Sequence, residues 1–225
     1  MKLKILLWTL IIGFLLIFAI AFWGCATQPG AGKITVQPNT VYLKSDGWVF
    51  SYGVGMPTHP SASGNDWSFN FPTKPSEVHS LAVPYGQNVI HKTMTITFKI
   101  TSVNPIYDGI LGDKSNTCAT PANFHLYFQA QNPNMSGDGG RWWSAASYTL
   151  GSRDNTIITL SVPMDAYHWS GVFGESGAKA TSAFNEAWKN VGGIGITFGG
   201  GCFFGHGADL TSGKAQFQLV DFKVQ

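Results

Sequence analysis

Apolar and polar residues alternate with a period of two along much of this chain, which is the signature of strands with one buried face. The clearest case is His91–Thr101, where Met94, Ile96, Phe98 and Ile100 alternate with Thr93, Thr95, Thr97 and Lys99. Threonine suits a pleated surface, so this segment predicts a strand with one polar side. Phe124–Gln131 repeats the pattern: Phe124, Leu126, Phe128 and Ala130 share one face, and His125, Tyr127, Gln129 and Gln131 share the other. A Gly/Asn/Pro-rich turn over 132–140 then leads into Arg141–Tyr148, so the two segments predict a hairpin with a long loop. Trp142 and Trp143 are adjacent within the second strand, and strand geometry sends them to opposite faces.

Further strands are predicted at Ile34–Val36, Val41–Leu43, Trp48–Tyr52, Asp66–Phe71, Val78–Val83, Thr156–Val162 and Ile194–Phe198. In Ala215–Val224 the apolar parity changes between Leu219 and Val220, which predicts a bulge or burial on both faces. Ala183–Lys189 breaks the pattern, with Phe184, Ala187 and Trp188 at helical spacing and Thr181-Ser182 placed to cap the helix. Nine or ten strands with turns between them and one short helix predict an all-β protein, an antiparallel β-sandwich.

The N-terminus follows another rule. Lys2 and Lys4 precede an uncharged apolar run, Ile5–Trp23, which is the form of a secretory signal or a membrane anchor helix. Residues 1–24 are therefore expected to be a signal peptide or anchor, 25–32 a flexible tether, and 33–225 the sandwich domain. Phe22-Trp23-Gly24-Cys25 resembles a bacterial lipoprotein cleavage site. That resemblance implies lipidation of Cys25, although Trp23 stands where a small residue is usual, so an uncleaved anchor is the alternative. Either route exports the domain to a membrane-attached place in the cell envelope.

Composition narrows the function. Only 12% of the 225 residues are charged, and the formal charge of +2 is matched by Lys2 and Lys4. With no basic cluster elsewhere, nucleic acid is not expected as a partner. Three glutamates (Glu77, Glu175 and Glu186) give little material for a paired-carboxylate glycosidase, and no nucleophile elbow or phosphate loop is present. The dispersed histidines lack zinc spacing. Cys118 and Cys202 are the cysteines left beside Cys25, and export predicts a disulfide between them. The glycine-rich tract 199–207 predicts close backbone packing at a sandwich edge.

The C-terminal half resembles the jelly-roll carbohydrate-binding modules, the galactose-binding-like sandwiches. The resemblance is carried by Phe124–Gln131, Trp142-Trp143, Val162-Pro163-Met164, Trp169, Ala183–Lys189, Gly195–Gly200 and Phe217–Val224. It implies a non-catalytic domain whose partner is a glycan or polysaccharide bound by aromatic planes and amides. Tyr127, Gln129, Arg141 and one of Trp142 and Trp143 are the expected contacts. It also implies a structural calcium near the last strand, with Asp221 as the candidate ligand. The alternatives are a structural or adhesive surface protein that binds protein partners, or a polysaccharide hydrolase or lyase.

Overall fold

The computed structural model describes residues 41–42, 47–63, 66–109, 121–133, 139–201 and 204–225. All of them belong to one compact unit, Asn39–Gln225. The leader, the tether, the Ile34–Val36 strand candidate, Cys25, Cys118 and Cys202 lie outside the described residues.

In chain order the strands are β1 (Val41–Tyr42), β2 (Val49–Val54), β3 (Ser61–Ser63), β4 (Asp66–Asn70), β5 (Glu77–Gln87), β6 (Thr93–Gly109), β7 (Ala122–Ala130), β8 (Arg141–Thr149), β9 (Ile157–Pro163) and β10 (Trp169–Ser170). Helix α1 (Thr181–Lys189) follows, then β11 (Val191–Gly200) and β12 (Ala208–Val224). One layer runs β10-β8-β7-β11-β5-β2, and the other is built on β12, which pairs β6, β4 and β1, with β9 beside β6 and β3 beside β4. These pairings are antiparallel, and one pair, Ala208 with Val78, joins the layers. The all-β antiparallel sandwich expected from the alternation is the fold.

The alternating residues of β6 explain why the layers meet there. Met94, Ile96, Phe98 and Ile100 are fully buried. On the other face, Thr95 and Thr97 bond the hydroxyls of Ser161 and Thr159 on β9 at 2.9 and 3.1 Å. Phe98 contacts Phe124 of β7 and Tyr148 of β8 across the core, with ring centroids 4.7 and 5.2 Å away, and stacks on Phe217 of β12 at 5.3 Å. Trp67 extends this aromatic column, stacked on Phe217 at 5.4 Å.

The change of parity in β12 is a bulge, since its register with β6 shifts between Leu219 and Asp221. One unpaired residue lets Phe217, Leu219, Phe222 and Val224 all reach the core while Val220 stays exposed. A second shift, between Ser212 and Lys214, passes through Gly213 at φ +80°, where a side chain would strike the Asn104 carbonyl. Only glycine fits both demands.

Helix α1 differs from expectation at its start. It begins at Thr181 with Ala180 in the cap position and no capping side-chain bond, because the Thr181 hydroxyl turns back to the Ala178 carbonyl at 2.8 Å. Phe184 and Ala187 fasten it to the sandwich, and Phe184 meets Trp142 edge-on at 5.0 Å. Trp188 is half-buried at the margin rather than inside the core.

Candidate functional site

The β7–β8 register assembles the predicted residues into one block. Tyr127 stands opposite Trp143, Gln129 opposite Arg141, and Phe128 opposite Trp142. Parity then separates the tandem tryptophans. Trp142 joins Phe128 inside the sandwich at 0% exposure, and its indole N–H donates to the Gly139 carbonyl at 2.9 Å. Trp142 therefore drops out of the set of ligand contacts. Trp143 lies on the outer side of the sheet with Tyr127, their ring centroids 5.5 Å apart. The Arg141 guanidinium sits over the Trp143 ring at 5.7 Å, within cation–π range. The Tyr127 hydroxyl donates to Gln129 Oε1 at 2.7 Å.

The face expected to be wet is largely covered. Tyr127 is 6% exposed and Trp143 8%, and His125 is buried as well. Part of the cover is the glycine-rich turn after β11, which lays Phe204 on the His125 ring at 4.0 Å and brings Gly205 beside the Trp143 indole nitrogen. Alternation assigns a side chain to a face; it carries no information about a segment that later folds over that face.

Burial sets the electrostatics beneath that cover. His125 Nδ1–H donates to the Ser144 carbonyl at 2.7 Å, which leaves Nε2 as a buried lone pair with no hydrogen-bond partner among the described residues. Desolvation pushes the imidazole down to about 4, so it is neutral at physiological pH. The same cause drives the Tyr127 phenol well above its ordinary range, so it stays protonated and keeps its hydrogen to donate. His206 is held below the usual histidine range, first by burial and then by the neighbouring His79 and Arg141. The Trp143 indole nitrogen and the Thr197 hydroxyl are also buried without hydrogen-bond partners among the described residues. Polar atoms left in this condition each cost about 1–3 kcal/mol and mark a place where a ligand or water would be welcome.

Beside this block is a cavity of ≈ 320 Å³. Arg141 and Trp143 form one wall, Phe204 and His206 of the glycine-rich turn another, and Val172 and Gly174 the third. Among the described residues no carboxylate lines it. Aromatic and aliphatic walls with a guanidinium and an imidazole suit an uncharged polyhydroxylated ring, which has both apolar C–H faces and hydroxyl edges.

Asp221 lies elsewhere, in the bulge of β12, with the Lys223 ammonium 3.9 Å from its carboxylate. Among the described residues no three His, Cys, Asp or Glu side chains converge as a metal site. A lone carboxylate beside an ammonium does not fit calcium, which takes six to eight oxygen ligands.

The chain is similar to two solved carbohydrate-binding structures. One is a xylan-binding module, CBM15, at 12% identity and a TM-score of 0.40, over 80% of this chain and 96% of that one. The other is CtCBM11, at 15% identity and a TM-score of 0.36, over 83% of this chain and 87% of that one. No family model matches the sequence, and no curated protein does. Neither likeness enters the case for a ligand, which rests on the side chains around the cavity.

Two walls of that cavity were not foreseen. Val172 and Gly174 belong to a small hairpin after β10, and Phe204 and His206 to the tract read only as edge packing. The nearest signal was Phe203-Phe204 amid glycines, since bulky aromatics in such a tract need something to cover.

Proposed function

We propose that this protein is a non-catalytic carbohydrate-binding β-sandwich attached to the cell envelope by its N-terminus, with a glycan seated in the cavity beside Trp143 and Arg141. One observation carries the reading: the register places Trp143, Tyr127, Gln129 and Arg141 together on the outer side of one sheet, and a cavity opens against two of them. A sugar ring entering there meets the Trp143 and Phe204 rings with its C–H face. Its hydroxyls meet the Arg141 guanidinium and the His206 imidazole. Tyr127 and Gln129, bonded to each other, support the wall from behind. Glycoside hydrolysis needs two carboxylates, and among the described residues the lining supplies none.

A single shallow site of this kind binds at about 10⁻⁴ M, or about 5–6 kcal/mol, so loss of one stacking ring removes much of the affinity. Trp143→Ala is expected to weaken binding at least about tenfold on a glycan array followed by titration calorimetry. Arg141→Gln should weaken it too. Retained affinity in both variants would place the ligand elsewhere.

Attachment is proposed through lipidated Cys25, on the strength of Lys2, Lys4, the apolar run and Gly24-Cys25. Mass spectrometry of the membrane fraction is expected to show a mature chain that begins at an acylated Cys25. A chain that still carries Met1–Gly24 would mean an uncleaved anchor instead.

A further inference from the structure

The hairpin that forms the third wall of the cavity presents an aromatic ring to solvent. Ser170 pairs with Ser176, Gly171 N–H donates to the Glu175 carbonyl at 2.8 Å, and Gly174 N–H donates to the Gly171 carbonyl at 3.0 Å. These bonds close a four-residue turn, and Gly174 takes φ +77° just after its tip. Phe173 stands in the tip between Val172 and Gly174, both of which line the cavity, while its own side chain is not part of the lining. It is 71% exposed. Phenylalanines such as Phe98, Phe124 and Phe217 are by contrast buried in the aromatic core.

The size of the cavity gives that ring a use. At ≈ 320 Å³ it lies at the low end of the ~300–1,000 Å³ range of small-molecule sites and holds little more than one sugar unit. Anything covalently attached to that unit must leave by the opening. We propose that Phe173 is a second stacking contact, for the sugar adjoining the one held at Trp143, so that the ligand class is an oligosaccharide or polysaccharide rather than a monosaccharide. This rests on the reading of the cavity as a glycan site. An aromatic plane at the rim needs no particular hydroxyl pattern, so it adds affinity along the chain while the inner wall discriminates between sugars.

The test is calorimetry of the full-length protein in detergent, with glucose, xylose and mannose and with their β-1,4-linked tetrasaccharides. For the sugar that binds, the tetrasaccharide is expected to bind roughly five- to tenfold more tightly than the monosaccharide, as one added stacking contact supplies. Phe173→Ala should bring the tetrasaccharide down to the monosaccharide's level, and Phe173→Tyr should restore the gain. Because Phe173 is exposed, its removal should leave the thermal midpoint in place, and a matching midpoint is required for the comparison. If Trp143→Ala abolishes binding but Phe173→Ala leaves the tetrasaccharide's advantage intact, the rim contact is wrong and the glycan site stands. If Trp143→Ala binds as tightly as wild type, or none of the six sugars binds, the site reading fails and the rim contact fails with it.

Discussion

Trp142→Ala is expected to destabilise the protein by about 3–5 kcal/mol, the range for removing a large aromatic from a packed interior. The residue is fully buried where the β7–β8 hairpin meets helix α1. Its ring lies 6.5 Å from Phe128 and 5.0 Å from Phe184, and Phe184 is one of two buried residues that fasten the helix. Truncation opens a cavity on both sides and strands the Gly139 carbonyl that accepts the indole N–H. Since domains of this size are commonly stable by only about 5–15 kcal/mol, the variant should be partly unfolded at moderate temperature. Urea titration of wild type, Trp142→Ala and Trp142→Phe measures it, with Phe expected to recover part of the loss. A cost below about 1.5 kcal/mol would mean that the helix is not held through this ring. Trp143→Ala also removes a buried ring, but one that lines the cavity, so it should lose both stability and binding. Its binding is compared with wild type well below its own thermal midpoint.

Acid is expected to destabilise the fold through His125, by up to about 3 kcal/mol. The imidazole titrates near 6.5 in the unfolded chain and at about 4 in the folded one, where burial opposes the charge and its one strong bond, from Nδ1–H to Ser144 O, only partly offsets that. The unfolded chain therefore binds the proton first. Stability from this group is fully present above pH 6.5 and is lost progressively as the pH falls to about 4, at about 1.36 kcal/mol per unit. His206 is shifted in the same direction, whereas Asp209, whose carboxyl is raised chiefly by burial, acts in the opposite sense. The informative quantity is thus the difference between wild type and His125→Asn, in which both of those groups cancel. Urea midpoints at pH 7, 5.5 and 4.5 should fall more steeply for wild type than for the variant. Parallel slopes would show that His125 is accessible to protons in the native state.

The alternation of β6 and β7, the opposed directions of Trp142 and Trp143, and the bulge in β12 were all legible in the chain. Each is a consequence of a two-residue repeat that only adjacent backbone geometry enforces. Tertiary structure alone decided which tryptophan faces the core, because that depends on the pairing of Phe128 with Trp142 across the hairpin. It also decided that Phe204 covers His125 and that the turn around Phe173 closes the cavity, since 79 residues separate positions 125 and 204. A local pattern states which side of a strand is apolar. What comes to rest against that side is set by how distant segments fill the remaining space, and no period in the sequence encodes it.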